Sequence, residues 1–375
     1  MQYDLVFEGG GAKGAVFIGA LQEFEARGHS PARIVGTSAG AITATLLAAG
    51  YSAEQARQRL EARDAEGRPV MAGFLDVPAR FPREAIDASL LGSFVRLDLP
   101  LIPSWIEDRL DQAVVEGLLR SARFRQLFSF IELGGVYEGG AFLAWLRDAL
   151  EVKGRGLGEA SFAEFHRRTG ADLSVVASDT DAQRILVLNH RTCPDLPVAW
   201  AVRMSMSIPF VWQEVVWRRE WGKFHGRDIT GHAIVDGGVL SNFPIHLLST
   251  DLDEVVEIMG EADPFAIPNL GFLIDEELEV EGNPPAARNT ATPKTLRRMT
   301  RLIDTMLNAH DRQIIERCLE NNEVCRLPAA GYGTAEFDMS PARFDALVRA
   351  GRAAARAYFD AREASEAAQG PSTAQ

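Results

Sequence analysis

Cysteine is scarce in this sequence, and positive charge is not in excess. The three cysteines, Cys193, Cys318 and Cys325, match no paired disulfide spacing and no metal-ligand spacing, a pattern typical of a reducing compartment. Lys and Arg number 39 against 52 Asp and Glu, which gives a net charge of −13. This balance argues against nucleic-acid binding. A contact with an anionic membrane would need a local basic or apolar patch.

Targeting and membrane-spanning segments are also lacking. The N-terminus has no basic stretch followed by an apolar stretch, so the sequence predicts no cleavable signal peptide. The most apolar stretch beyond it, residues 39–49, is too short to cross a bilayer, which needs about 20 residues. We therefore expect a cytoplasmic protein with at most peripheral membrane contact. Secretion by a signal-independent machinery stays open.

The composition is that of a globular protein. The chain has 375 residues, of which 46% are hydrophobic and 24% are charged, so it can bury a large core and is neither disordered nor fibrous. Its first fifty residues alternate between short apolar runs and helical spacing, in the order strand, glycine turn, helix, strand, turn, helix. This order predicts an α/β fold with a mostly parallel central sheet and helices on both faces.

The pattern along the chain suggests a main domain and a C-terminal region. We predict a main domain over residues 1–290, with a proline-interrupted insertion at 68–105. Helical spacing at 294–320 and 341–364 predicts a helical region over 291–365 that packs on the core, and residues 366–375 have the composition of a disordered tail. Alternation at 172–178 and 184–189 predicts a hairpin, and residues 233–236 predict a strand that ends at Asp236.

The segment Gly36-Thr37-Ser38-Ala39-Gly40 has the form G-x-S-x-G. This form suits a serine on a sharp strand-to-helix turn, where neighbours without a Cβ let the backbones approach closely. The following helix would direct free N–H groups and its positive dipole end toward a developing oxyanion. An apolar strand before the motif and a buried helix after it favour a nucleophilic Ser38 over a helix-capping serine.

A glycine cluster, Gly9-Gly10-Gly11-Ala12-Lys13-Gly14, follows the first strand and allows three interpretations. A dinucleotide site would need an acidic residue at the end of the second strand, and a P-loop would need Lys after the last glycine. The third interpretation is an oxyanion hole, in which backbone N–H groups stabilise a negative carbonyl oxygen. Only this one also gives Ser38 a role.

A nucleophilic serine needs a base, and the sequence alone leaves its identity open. Asp236-Gly237-Gly238 ends a candidate strand, although an aspartate at such a position is more often a turn or helix cap. Any of the seven histidines could supply the base in space; they are His29, His166, His190, His225, His232, His246 and His310.

The three motifs, in this order, resemble those of the patatin-like phospholipases, and residues 203–210, which contain Ser205, Ser207 and Pro209, resemble a serine-rich stretch that precedes the aspartate in that family. The similarity covers about residues 3–275. It implies a Ser38–Asp236 dyad without metal or cofactor, which hydrolyses acyl esters of phospholipids through an acyl-enzyme. It further implies an oxyanion hole made by Gly9, Gly10, Gly11 and Ala39, with Gly14, Gly36, Gly40, Gly237 and Gly238 supporting the motifs.

The resemblance leaves the substrate open. Gly238 stands where the family often has alanine. The segments that flank the core vary within the family, so the resemblance does not define the head group, the acyl position or a protein activator. The alternatives are a general carboxylesterase on soluble esters and a non-catalytic module that binds lipid or a nucleotide.

Three segments are candidates for lipid access, each with a structural alternative. The insertion could be a lid over the serine or a packed satellite cluster; its large apolar residues include Phe74, Phe81, Leu90, Leu91, Phe94, Leu101, Ile102 and Trp105. The tryptophans at 212, 217 and 221 could meet a membrane interface or belong to the core. The arginines at 297, 298, 301 and 312 form a basic helix face, for which solvent exposure is the favoured interpretation over anionic lipid.

Overall fold

A computed structural model describes residues 1–91, 117–250, 252–261, 267–284, 305 and 323–369. Its strands are β1 (Gln2–Phe7), β2 (Ser30–Thr37), β3 (Gly135–Tyr137), β4 (Asp172–Asp179), β5 (Arg184–Leu188), β6 (Phe210–Trp212), β7 (Val215–Val216), β8 (Ala233–Asp236), β9 (Asn269–Asp275) and β10 (Val324–Pro328). Its helices are α1 (Val16–Ala26), α2 (Ala39–Ala48), α3 (Ala53–Glu61), α4 (Arg83–Asp87), α5 (Ala122–Glu132), α6 (Gly140–Val152), α7 (Phe162–Thr169), α8 (Val198–Ser205), α9 (His246–Ser249), α10 (Asp253–Met259) and α11 (Pro341–Gln369).

The central sheet has eight strands and is mostly parallel. Its order is β10-β9-β1-β2-β4-β8-β7, and β5 pairs with β4. The first five strands in this order run parallel, whereas β5, β8 and β7 form antiparallel pairs. A small separate sheet joins β3 and β6. The predicted α/β class is confirmed, and so is the predicted hairpin of β4 and β5.

The core is divided between the two faces of the sheet. Successive residues of a strand point to opposite faces, and in β1 the side chains of Leu5 and Phe7 join one apolar cluster while Val6 joins the other. The larger cluster includes residues of α1, α2, α6, α8 and α11. The smaller one includes Leu247 and Leu248 of α9 and residues of α10. Helices therefore cover both faces, as predicted.

The C-terminal region differs from its prediction in two ways. Residues 323–328 were expected to be part of a helical region, but β10 extends the central sheet by pairing with β9. The last helix, α11, continues through Gln369 into the predicted disordered tail. The tail has a low-complexity composition, but its alanine and glutamate residues favour a helix. Residues 370–375, Cys318 and nearly all of the predicted helix 294–320, with its arginine face, lie outside the described residues.

The described part of the insertion belongs to two clusters. Phe74 is buried in the main core against Phe142 and Trp145, and its carbonyl accepts a hydrogen bond from Trp212 Nε1 at 2.9 Å. Ile86 and Phe128 form a small satellite cluster, against which Phe81 and Leu91 pack. Leu90 is exposed. Residues 92–105, including Phe94, Leu101, Ile102 and Trp105, lie outside the described residues, so the lid stays a prediction.

Two findings concern the membrane. Trp212, Trp217 and Trp221 are each at most 3% exposed, so these tryptophans belong to the core and do not line a membrane interface. Among the residues that the structure describes, no helix combines the length and the apolar character needed to cross a bilayer.

Candidate active site

A sharp turn between β2 and α2 carries Ser38. Its φ of 51° and ψ of −119° define a left-handed conformation that a residue other than glycine keeps only when its surroundings impose it. A Cβ on Gly36 would lie 2.4 Å from the Gly40 carbonyl oxygen, and one on Gly40 would lie 2.1 Å from that of Phe7. Close backbone approach therefore requires both motif glycines, and the strained turn sets Ser38 at the carboxyl end of β2.

The strands that lead to Ser38 and Asp236 meet end to end along one edge of β4. Strand β2 pairs in parallel with β4 up to Thr37, opposite Val176, and β8 pairs antiparallel so that Asp236 lies opposite Ala177. Both strands lie on the same edge because β5 occupies the other edge along the same part of β4. The carboxyl ends of two strands far apart in sequence therefore face each other, which brings Ser38 and Asp236 together.

The Asp236 carboxylate is buried, with 1% of the residue exposed. Its Oδ1 accepts a hydrogen bond from the Gly238 N–H at 2.8 Å, whereas the buried Oδ2 has no partner within hydrogen-bond geometry among the described residues. Burial raises the pKa of Asp236 from 3.8 to about 7, against the lowering effects of the Ser38 side chain and the Gly238 N–H. Ser38 thus lies close enough to lower the pKa of Asp236, although its hydroxyl forms no hydrogen bond with Oδ2. Catalytic hydrogen bonds are often long before a substrate binds.

The glycine loop after β1 lies against the Ser38 turn. A Cβ on Gly9 would lie 3.2 Å from Ser38 Cβ, and one on Gly14 would lie 2.7 Å from Ala39 Cβ. In the part of the chain that the structure describes, the N–H groups of Gly10, Gly11 and Ala39 donate to no protein acceptor. The oxyanion hole that the resemblance implies for Gly10, Gly11 and Ala39 therefore stays a prediction.

Gly9 requires a correction. The family resemblance implies that its amide belongs to the oxyanion hole, but the Gly9 N–H donates to the Asn242 carbonyl at 3.0 Å. A donor that already has a backbone acceptor cannot serve a developing oxyanion without breaking that bond. Gly9 instead permits close packing, because a Cβ there would meet Asn242 Oδ1 at 2.2 Å. Gly237 is similar, with its Cβ position 2.4 Å from the Val176 carbonyl oxygen.

Two serines of the 203–210 stretch form hydrogen bonds with the backbone of Ser38 and Asp236. The sequence alone did not predict this role. The Ser205 hydroxyl accepts a hydrogen bond from the Ser38 N–H at 2.8 Å and donates to the Val176 carbonyl at 2.6 Å. The Ser207 carbonyl accepts from the Asp236 N–H at 3.0 Å. Both serines are fully buried. The turn and the aspartate loop are therefore attached to the same short segment at the end of α8.

The histidines considered as bases have other partners where the structure shows them. His29 lies among the rings of Tyr3, Phe24 and Phe359. His166 and His190 stack at 3.9 Å, and His232 Nδ1 lies 2.9 Å from Asp179 Oδ2. His225 Nε2 lies 3.9 Å from a Glu257 oxygen. His310 lies outside the described residues. Lys13 pairs with Glu276, in agreement with a structural role.

One cluster among the described residues has the donor set of a metal site. Ligand atoms of Asp179, Asp181 and His232 lie within 4.8 Å of one another. The Asp179 and Asp181 carboxylates already accept backbone hydrogen bonds, and Arg184 Nε lies 3.5 Å from Asp179 Oδ2. A neighbouring guanidinium already supplies positive charge to this carboxylate, so the cluster does not call for a metal.

Comparison with known proteins gives two relatives in sequence and a neighbour in structure. The uncharacterised protein YqhO of Bacillus subtilis (strain 168) is 28% identical over 363 residues, which cover 94% of this chain and 96% of that protein. The uncharacterised protein R571 of Acanthamoeba polyphaga mimivirus is 23% identical over 262 residues, covering 68% of this chain and 64% of that protein. VipD from Legionella pneumophila is a structural neighbour at 18% identity and a TM-score of 0.45; the match covers 96% of this chain and 67% of VipD.

A family model settles the family. The model for patatin-like phospholipases matches residues 5–249, a range that contains the glycine loop, the Ser38 turn, the 203–210 stretch and Asp236. The match lies inside the domain predicted for residues 1–290, whose C-terminal boundary stays a prediction. The chain belongs to the patatin-like phospholipase family, and it is in general terms a lipid hydrolase.

Proposed function

We propose that the protein is a phospholipase A or lysophospholipase that cleaves fatty-acyl esters by means of a Ser38–Asp236 dyad. The observation that carries the proposal is the buried carboxylate beside the strained serine, at the meeting point of β2 and β8. The free Oδ2 of Asp236 is the acceptor that a serine proton needs.

Acylation begins when Asp236 takes the Ser38 hydroxyl proton and Oγ attacks the ester carbonyl carbon. An ordinary aspartate is a weak base at neutral pH, but burial raises the pKa of Asp236 to about 7 and brings it close to the working pH. The tetrahedral intermediate then expels the alcohol, which receives the proton from Asp236. Water attacks the acyl-enzyme in the same way and releases the fatty acid.

The oxyanion of each tetrahedral intermediate needs hydrogen-bond donors that are already in place. The N–H groups of Gly10 and Gly11 come from the loop, and that of Ala39 comes from the first turn of α2. The positive end of the α2 dipole adds to their effect. The loss of one such donor typically costs about 3–4 kcal/mol of transition-state stabilisation.

Mutagenesis tests the dyad directly. The Ser38→Ala and Asp236→Asn variants are assayed for fatty-acid release from phospholipid vesicles, with Ser52→Ala and Asp228→Asn as controls, since Ser52 caps α3 and Asp228 lies in an exposed turn. We expect both dyad variants to lose at least about 10³-fold in rate and both controls to match the wild type. Near-normal release by either folded dyad variant would refute the assignment.

A carboxylesterase with the same dyad is the competing function. Hydrolysis of dispersed short-chain esters is compared with hydrolysis of phospholipid vesicles at equal ester concentration. The proposal expects vesicles to be the better substrate. Activity on dispersed esters alone would favour the carboxylesterase.

A further inference from the structure

Asn242 forms two hydrogen bonds with the backbone of the glycine loop, both at Gly9. The Gly9 N–H donates to the Asn242 carbonyl at 3.0 Å, and Asn242 Nδ2 donates back to the Gly9 carbonyl at 3.0 Å. Both polar groups of the Gly9 backbone are therefore bound by one residue. Asn242 follows Asp236 by six positions, so it joins the loop of the proposed base to the loop of the oxyanion donors.

A buried carboxylate fixes the orientation of the Asn242 amide. Glu8 Oε1 accepts from Asn242 Nδ2 at 3.1 Å, and Glu8 Oε2 accepts from the Ile274 N–H at 2.6 Å. Asn242 and Glu8 are only 5% and 6% exposed. With both Nδ2 hydrogens used, Oδ1 is turned toward Gly9 and has no hydrogen-bond partner. The side chain of Asn242 is therefore held by the two bonds of Nδ2, to the Gly9 carbonyl and to Glu8.

We infer that Asn242 is a positioning residue, which sets the glycine loop so that the Gly10 and Gly11 amides meet the oxyanion; this inference rests on the proposed function. The consequence is specific. Loss of the Nδ2 bond to the Gly9 carbonyl frees the loop just before its two available donors. The rate of attack by Ser38 then falls, whereas the fold and the ground-state binding of an ester change little.

An exchange of donor and acceptor separates positioning from stability. In Asn242→Asp, two carboxylates face each other, and the bond to the Gly9 carbonyl is lost. Adding Glu8→Gln restores the contact between positions 8 and 242, because the Gln amide can donate to the Asp while its oxygen accepts from Ile274. The Nδ2–H group that donates to the Gly9 carbonyl stays absent in the double variant.

The readouts are the midpoint of thermal unfolding and the rate at which a fluorophosphonate labels Ser38. In labelling, Oγ forms a bond to phosphorus, the P–F bond breaks, fluoride leaves and Asp236 takes the proton. We expect the double variant to regain most of the unfolding midpoint that Asn242→Asp loses, yet to be labelled at least ten-fold more slowly than the wild type. On a dispersed ester the loss should fall on kcat and not on KM.

Labelling of the double variant at the wild-type rate would overturn the inference and leave the proposed function intact. Absence of labelling in the wild type would overturn the proposed function and the inference together. If Asn242→Asp does not fold, Asn242→Ala replaces it in the labelling assay, because it also removes the side-chain bond to the Gly9 carbonyl but introduces no charge. Its labelling at the wild-type rate would equally overturn the inference.

Discussion

Replacement of Asp236 by Asn should inactivate the protein and at the same time stabilise it above neutral pH. The amide keeps an oxygen for the Gly238 N–H and cannot ionise. In the wild type, the folded protein holds a proton on Asp236 between pH 4 and pH 7, whereas the unfolded chain has released it, because burial raises the pKa from 3.8 to about 7. The wild-type free energy of unfolding therefore falls as the pH rises through this range.

The magnitude follows from the two pKa values. Each pKa unit corresponds to about 1.4 kcal/mol, so the raised pKa of Asp236 lowers the free energy of unfolding of the wild type by about 4 kcal/mol at pH 8 and by about 2 kcal/mol at pH 5. The Asn variant has no such cost. Its advantage over the wild type should thus grow by about 2–3 kcal/mol between pH 5 and pH 8, a large fraction of the 5–15 kcal/mol by which a typical domain is stable.

Urea unfolding of both proteins at pH 5, 6, 7 and 8 measures this difference. Ser38→Ala is the matched control, because it abolishes activity but leaves the carboxylate buried. Its unfolding free energy should follow the wild-type pH dependence. A difference between Asp236→Asn and wild type that stays constant from pH 5 to pH 8 would refute the raised pKa and with it the account of Asp236 as a base near neutrality.

Three further predictions use the same geometry. The rate kcat/KM should rise with pH through an apparent pKa near 7, because Asp236 must be ionised to accept the proton; a flat profile from pH 5 to pH 8 would contradict this. Ser205→Ala should lower kcat at least ten-fold and lower the free energy of unfolding by about 1–3 kcal/mol. The control Ser174→Ala alters an equally buried serine that is bonded to Asn189; it should lose a similar amount of stability without a change in kcat. Equal kcat losses in the two variants would show that the effect is only structural. Gly40→Ala should not fold, as judged by loss of cooperative unfolding, because its Cβ would meet the Phe7 carbonyl oxygen; a folded and active variant would be unexpected.

The start of the chain could be predicted because its signals are local. Short apolar strands, each followed by glycines and a helix, specify β1, β2, α1 and α2 from neighbouring residues alone. The G-x-S-x-G spacing anticipates the turn at Ser38, since only residues without a Cβ fit where the backbones touch. The parallel pairing of β1 and β2 then follows from the connection between them.

Contacts between distant segments could not be predicted in the same way. The register that places Asp236 opposite Ala177 depends on β5 occupying the other edge of β4, and no local pattern encodes that choice. Ser205 could be noticed only through the family resemblance, and its bond to the Ser38 N–H depends on how α8 packs. The Gly9 amide was assigned to the oxyanion hole because its partner, Asn242, is remote in sequence.

The segments that differ from prediction have weak or misleading local signals. Strand β10 has only five residues, and its arginine side chain is exposed, so its sequence carries little apolar periodicity. The end of α11 is rich in alanine and glutamate, a composition shared by solvent-exposed helices and disordered tails. In both cases packing on the rest of the protein decides the structure.

Trapping of the acyl-enzyme tests the central claim most directly. The protein is quenched with acid during turnover of a fatty-acyl ester, and its peptides are mapped by mass spectrometry. We expect an added acyl group on the peptide that contains Ser38, at an occupancy that falls sharply in Asp236→Asn. An acyl group on another residue, with hydrolysis persisting in Ser38→Ala, would contradict it.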